Sequence, residues 1–235
     1  EIINIIIEED VKIVFTSAGN PKTWTQKLQS HGIKVAHVVS SSKFALKAQD
    51  AGVDAVVAEG FEAGGHNGRE ESTTFTLIPL VKEVLSVPLI AAGGIGNGNG
   101  ILAAMILGAD AVQIGSLFAA SVESSAHINF KNTITDLEEG GTQVTLKELA
   151  PVRLIKNKFY HDVQEVYANC GTKEDLQNIL GRARSKRGMF EGDLIEGELE
   201  IGQIGALIKE VRSVDEIMAK LLTQFDEAKK RCLSL

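Results

Sequence analysis

Two six-residue stretches constrain this chain more than any others: Ala51-Gly52-Val53-Asp54-Ala55-Val56 and Leu107-Gly108-Ala109-Asp110-Ala111-Val112. Each ends a helical pattern on a glycine and opens an apolar strand behind an aspartate. A chain that uses one helix-stop-to-strand device twice is built from repeated strand–helix units. The pattern extends in both directions. Apolar runs at Lys12–Thr16, Val35–Val39, Val53–Ala58, Pro88–Ala92 and Ala111–Ile114 predict strands. Residues 22–31, 42–51, 74–85 and 99–107 predict the helices between them, and residues 1–9 the end of another. In these helices Trp24 and Leu28, and Leu77, Leu80, Val81 and Leu85, are expected to face inward. The strands are continuously apolar rather than alternating, which is the pattern of a parallel sheet covered on both faces. Serial strand–helix units give a (β/α) barrel or a doubly wound sheet, and the internal repetition favours the barrel.

The fold class expected is therefore α/β, a TIM (β/α)8 barrel. Five strands are visible and a closed barrel needs eight. The chain begins Glu1-Ile2-Ile3, already inside an amphipathic pattern, so the first strands are expected upstream of Glu1. Residues 1–121 are expected to be strands 4–8 of the barrel. Residues 122–235 read as a helical extension beside the barrel mouth, with helices at 201–212 and 214–232.

Composition narrows the function classes. A net charge of −7 and a pI near 5.3 argue against a nucleic-acid surface. No apolar run reaches the ~18 residues of a membrane helix, and no signal peptide is read. Cys170 and Cys232 have neither metal-ligand spacing nor a disulfide pattern, so no metal is expected and a cytoplasmic location is.

In parallel α/β folds the loops after the strands hold the ligand. Three such loops carry chemistry here. Glu59-Gly60-Phe61-Glu62-Ala63-Gly64-Gly65-His66-Asn67-Gly68 is poor packing material. Its glycines let a ligand approach the backbone, and His66 can exchange a proton near neutral pH. The alternative is a turn with a solvated histidine. Gly93-Gly94-Ile95-Gly96 and Gly115-Ser116 follow the last two strands. If these are barrel strands 7 and 8, their loops would bind phosphate through backbone N–H groups and a hydroxyl. Otherwise the glycines only make tight turns. Gln113 lies in an apolar strand and needs a partner, either a neighbouring backbone or a cofactor ring. His37 reads as a satisfied core residue. His31 lies next to a helix-stop glycine, and His127 and His161 have no companion at metal spacing. Ser17 and Ser116 have no base in a hydrolase pattern.

Three stretches together, Glu59 to His66, Ala91-Ala92-Gly93-Gly94-Ile95 and Val112-Gln113-Ile114-Gly115-Ser116, resemble the flavin barrel family of nitronate monooxygenases and type II enoyl-acyl-carrier-protein reductases. Thr16-Ser17-Ala18-Gly19-Asn20-Pro21, Arg153-Leu154-Ile155-Lys156-Asn157 and Gly202-Gln203-Ile204 extend the resemblance along the chain. The resemblance implies FMN as cofactor, with Glu59, Gly64, Gly94, Gln113, Ile114, Gly115 and Ser116 at the flavin and His66 as the active-site histidine. It implies NADH or NADPH as co-substrate and an acyl thioester or acyl-carrier protein as partner; no membrane or nucleic-acid partner is expected, and a homodimer is. Glu59 stands where the monooxygenases usually carry Gln, and the connection from Gly68 to Thr76 is short. Both favour the reductase branch, with nitronate oxidation by O2 as the alternative. Ser116 replaces a more usual Thr and keeps the hydroxyl. The family's Gly-Gly-Met flavin segment is absent, so the chain as it stands is expected to hold flavin poorly. A phosphate-binding half-barrel without catalysis is the reading from another class.

Overall fold

The computed structural model describes residues 1–234. In chain order the elements are α1 (Ile2–Glu8), β1 (Ile13–Thr16), α2 (Thr25–Gln29), β2 (Lys34–Val39), α3 (Ser42–Asp50), β3 (Ala55–Glu59), β4 (Gly65–His66), α4 (Thr74–Lys82) and β5 (Leu89–Ala92). There follow α5 (Gly98–Ile106), β6 (Ala111–Gln113), α6 (Ser116–Ala119), α7 (Ile128–Thr135), β7 (Thr142–Thr145), β8 (Val152–Ile155), α8 (Lys158–Ala168), α9 (Lys173–Leu180) and α10 (Val214–Leu233). The chain divides into two compact units.

The first unit comprises Glu1–Gly60, Glu70–Ala92 and Ala103–Gln113. It is a parallel sheet in the order β1-β2-β3-β5-β6. The continuously apolar strands have the expected consequence: Val56, Val57, Ala58, Leu89 and Ala91 are all fully buried. Helix starts and stops follow local chemistry. The Phe44 N–H donates to Ser41 Oγ at the start of α3. Gly52 and Gly108 take φ of +85° and +111°, where a side chain would be strained. His37 is buried and hydrogen-bonded to Thr16 Oγ1 at 2.7 Å, a core histidine as expected. Burial and the charge of Lys47 both push its pKa down. Trp24 departs from expectation. It is 43% exposed, while Leu28 is fully buried. A short 3-10 turn at Pro21–Thr23 delays the start of α2, so the α-helical spacing read from Trp24 does not apply. Leu80 is also exposed.

The repeated aspartates do the same job twice. Asp54 Oδ2 accepts from the Val35 N–H (2.9 Å) and Asp110 Oδ2 from the Leu89 N–H (2.8 Å). Lys34 reaches Asp54 Oδ1 at 2.8 Å, and Lys82 reaches Asp110 Oδ2 at 3.1 Å. Each carboxylate therefore pins the start of a neighbouring parallel strand. Burial pushes the Asp54 carboxyl up, but hydrogen bonds from Lys34, Gln29 and the Val35 N–H outweigh it and hold it low. Asp110 is held low by the Leu89 N–H and then by Lys82. A carboxyl with a folded pKa below its unfolded one stabilises the fold above the unfolded value, about pH 4. That contribution is lost as pH falls through the folded pKa. Asp54→Asn with Asp110→Asn should therefore be less stable than the parent at neutral pH. The gap should narrow on acidification below about pH 4, as read by urea midpoints. A gap that does not depend on pH would mean the carboxylates contribute no charge-linked stability.

The second unit comprises Phe61–Arg69, Gly93–Leu102 and Ile114–Leu235. It holds a three-stranded antiparallel sheet in the order β4-β8-β7, with an isolated bridge from Leu154 to Glu200. Sequence pattern predicted no strands after Ser116. Residues 201–212 predicted a helix and are instead extended backbone leading into a short 3-10 turn at Gln203–Leu207. One core cluster gathers Phe130, Ile134, Leu137, Leu199 and Ile201, and a second gathers Leu154, Phe159, Val163 and Leu176. Capping boxes at Thr172/Asp175 and Ser213/Glu216 start α9 and α10. No helix among the described residues is long and apolar enough to cross a membrane.

Candidate active site

Strand β3 ends at Glu59, and the chain passes through Phe61–Gly64 into the two residues of β4. Strand β8 holds β4 in place, with Gly65 opposite Arg153 and His66 opposite Val152. The loop before it is tied down at several points. Arg153, buried to 2% exposure, donates to the Phe61 carbonyl from Nη2 (2.9 Å) and Nε (3.3 Å). Its guanidinium also lies over the Phe61 ring, 4.9 Å from the centroid. Asn67 donates from its backbone N–H to the Pro151 carbonyl and from Nδ2 to the carbonyls of Ala63 and Gly65. Its Oδ1 is buried and accepts nothing. Arg69 forks onto the carbonyls of Lys147 and Leu149. His66 thus sits exposed at the end of a fixed strand.

A single segment, Glu200–Gln203, gathers four of the candidate residues. A Cβ on Gly64 would lie 2.4 Å from the Ile201 carbonyl carbon and 2.5 Å from Gly202 N, so only glycine fits there. Gly65 has φ +75°, and a Cβ on it would lie 2.6 Å from Glu200 Oε2. The Gly202 N–H donates to Ser116 Oγ at 3.0 Å, and the Gln203 N–H to the Glu62 carbonyl at 2.9 Å. The Glu62 carboxylate in turn lies against Gly94, 3.3 Å from where its Cβ would be, and Gly94 has φ +69°. Gly64, the His66 strand, Gly94 and Ser116 are therefore brought together within the second unit. Gly115 faces open space, with nothing within 4 Å of a Cβ placed on it. Ile114 is half-buried.

The remaining two candidates lie in the parallel sheet. Glu59 and Gln113 are both in register with Ala92, on either side of it. Register partners in a parallel sheet share a face, so the two side chains stand about 9–10 Å apart on one face. Burial pushes the Glu59 carboxyl up to about 7. Near neutral pH it can therefore either donate or accept a hydrogen bond.

Sequence reasoning passed over Arg153, Asn67, Glu198 and Glu200. Glu198 is 7% exposed, and its carboxyl is pushed up to about 7, by burial first and the Glu200 charge second. Burial also raises Glu200, against the charge of His66 and a hydrogen bond from Ser185. The available signal was the alternation Glu198-Leu199-Glu200-Ile201, which puts two acids on one side of an extended strand and two apolar residues on the other.

A family model described as nitronate monooxygenase matches residues 1–224. A probable nitronate monooxygenase of Staphylococcus saprophyticus is 33% identical over 97% of this chain and 67% of its own length. One from Staphylococcus aureus is 31% identical over 96% and 66%. The chain thus spans about two thirds of the length of the curated relatives it matches. Among solved structures, FabK from Thermotoga maritima is 38% identical, with a TM-score of 0.92 over 99% of this chain and 73% of that one. Nitroalkane oxidase from Streptomyces ansochromogenes is 26% identical, with a TM-score of 0.78 over 98% and 68%. The parallel β/α sheet and the C-terminal helix α10 are the α/β architecture of these barrel relatives. On sequence and on fold alike, this chain belongs to the nitronate monooxygenase family.

Proposed function

We propose that the protein is an FMN-dependent oxidoreductase that reduces trans-2-enoyl thioesters at the expense of NAD(P)H, as a type II enoyl-acyl-carrier-protein reductase does. The observation that carries this reading is the crossing at Gly202, which joins the His66 loop, Gly94 and Ser116 through one backbone segment. The FabK structure, at 38% identity, supports the reductase branch.

The residues present suit FMN. Gly115 leaves its backbone open to a ligand, and Gly93 and Gly94 both take positive φ, as loops that wrap phosphate oxygens do. Ile114 to Ser116 and Gly94 would hold the phosphate end. Within the parallel sheet, Glu59, with its raised carboxyl, and the Gln113 amide offer donors and acceptors of the kind a flavin ring takes. Gly64 would admit the ring close to the backbone. What bound FMN supplies is the passage of hydride from NAD(P)H to the β-carbon of the enoyl thioester. His66 supplies the rest. Its ring N–H would donate to the thioester oxygen where negative charge develops, and the imidazole would relay a proton from water to the α-carbon. The substrate would be presented on a carrier protein, in the cytoplasm and by a homodimer.

The test is a flavin spectrum of the full-length protein followed by NAD(P)H oxidation on adding crotonyl thioester. Flavin at one per chain and substrate-dependent oxidation are expected. Bound flavin with no oxidation of NAD(P)H would remove the reductase reading. A second reading is supported by the family description and the curated relatives' names: His66 would act as the base on a nitroalkane, and O2 as the oxidant. Oxygen consumption with propionate-3-nitronate distinguishes it.

A further inference from the structure

We propose that the cavity beside the amino-terminal half of α10 is a binding site for a small amphipathic anion, an alkyl chain ending in a carboxylate or a phosphate. The cavity holds about 280 Å³ and is built wholly within the second unit. Its walls are the loop before α5, the strap from Leu207 to Arg212 and one stripe of α10. None of the candidate flavin residues lines it, so the proposal does not rest on the reductase reading.

The floor is apolar. Ile208, Ile217 and Leu221 line it and are buried, and Leu117 is half-buried beside them. Ile217, Leu221 and Gln224 recur at helical spacing, so α10 lays one row of side chains along the cavity. Leu207 also lines it and is 63% exposed, which leaves apolar surface for a ligand to cover.

The polar groups are nearly all donors. Gln224 Oε1 accepts from the Gly98 N–H at 3.2 Å, and Asn97 Oδ1 from the Gly100 N–H at 2.9 Å. Each amide thus turns its oxygen to the start of α5 and keeps its NH2 for a ligand. Lys220 is exposed, and no ion pair among the described residues engages it. Lys209 is committed to the Leu137 carbonyl at 2.8 Å. Glu210 is the one acid in the lining, and Arg212 Nη2 donates to it. Glu216, which also acts on the Arg212 charge, is engaged by Ser213 at the start of α10. An incoming anion therefore meets one free cation, two amide donors and an arginine that it can share with Glu210. A cationic head would be repelled by Lys220 and Arg212. A neutral chain would cover the amide donors without pairing them. An apolar floor with a few placed polar groups is the usual make-up of a small-ligand site.

The test is calorimetric titration of the full-length flavoprotein with octanoate, octyl phosphate and octylamine. The two anions should bind and octylamine should not, and the tighter anion identifies the head group. Affinity should rise about fourfold for each methylene added from butanoate to octanoate. Lys220→Glu should weaken octanoate binding about tenfold, and Glu210→Gln, which frees Arg212, should tighten it about threefold. Both side chains are exposed, so both variants should keep the parent's unfolding midpoint and its flavin. Opposite shifts in the two variants are a result that a merely distorted cavity does not give. Octanoate affinity unmoved by either change would overturn the proposal, because the chain would then bind elsewhere on the protein. Octylamine binding as tightly as octanoate would overturn it as well. So would loss of flavin from Lys220→Glu, which would make the cavity part of the cofactor site.

Discussion

His66→Gln should lower the turnover of the full-length enzyme by about 10²–10⁴-fold, the usual contribution of a positioned acid or base. The flavin spectrum should be unchanged. Glutamine keeps a donor of similar reach but cannot carry or release a proton near neutral pH. Stability should hardly move, because His66 is exposed at the end of β4. Steady-state kcat alongside the flavin absorbance makes the comparison. Near-normal kcat with flavin bound would place the proton chemistry on another group. The loss should fall on kcat more than on KM, since the ring is needed most where charge develops.

Gly64→Ala should be strongly damaging to the candidate site. The atoms it would meet are backbone, at 2.4–2.6 Å from Ile201 and Gly202, and backbone cannot rotate out of the way. Overpacking of this kind costs about 1–3 kcal/mol, and more where main chain must move. The shift would also pull the Gly202 N–H from Ser116 Oγ and the Gln203 N–H from the Glu62 carbonyl. Lost flavin should therefore accompany lost stability. Gly115→Ala is the matched control. Its added methyl meets nothing within 4 Å and its φ is −92°, so the unfolding midpoint should change by less than about 0.5 kcal/mol. Equal stability of the two variants in urea would mean that the segment yields at Gly64.

The parallel sheet was legible because its signals are local. Apolar runs, glycine stops and Ser41 as a cap each act within a few residues, and β1, β2, β3, β5 and β6 fall close to where those signals put them. The antiparallel sheet was not. Its strands carry Thr142, Gln143 and Arg153, whose place in a sheet depends on partners up to 92 residues away, as in the Arg153–Phe61 contact. Residues 201–212 misled for a related reason. Ile201, Ile204 and Ile208 have helical spacing, yet the segment is held extended at Ile201–Gly202 by its crossing of Gly64. For the candidate site, chemistry-bearing loops such as His66 and Gly94 stood out by composition. Glu198 and Glu200 did not: their alternation with Leu199 and Ile201 is too short to outweigh the helical spacing of Ile201, Ile204 and Ile208.

The twin aspartates have a practical consequence. They clip β2 and β5 at their amino ends, whereas Glu59 and Gln113 end the neighbouring strands β3 and β6 at the opposite pole of the sheet. The clips and the proposed cofactor contacts therefore lie at different poles of one sheet. A breeder of hardier variants could rework the clips, for instance by trading Lys34 and Lys82 for arginine, and leave the opposite end of the sheet as it was.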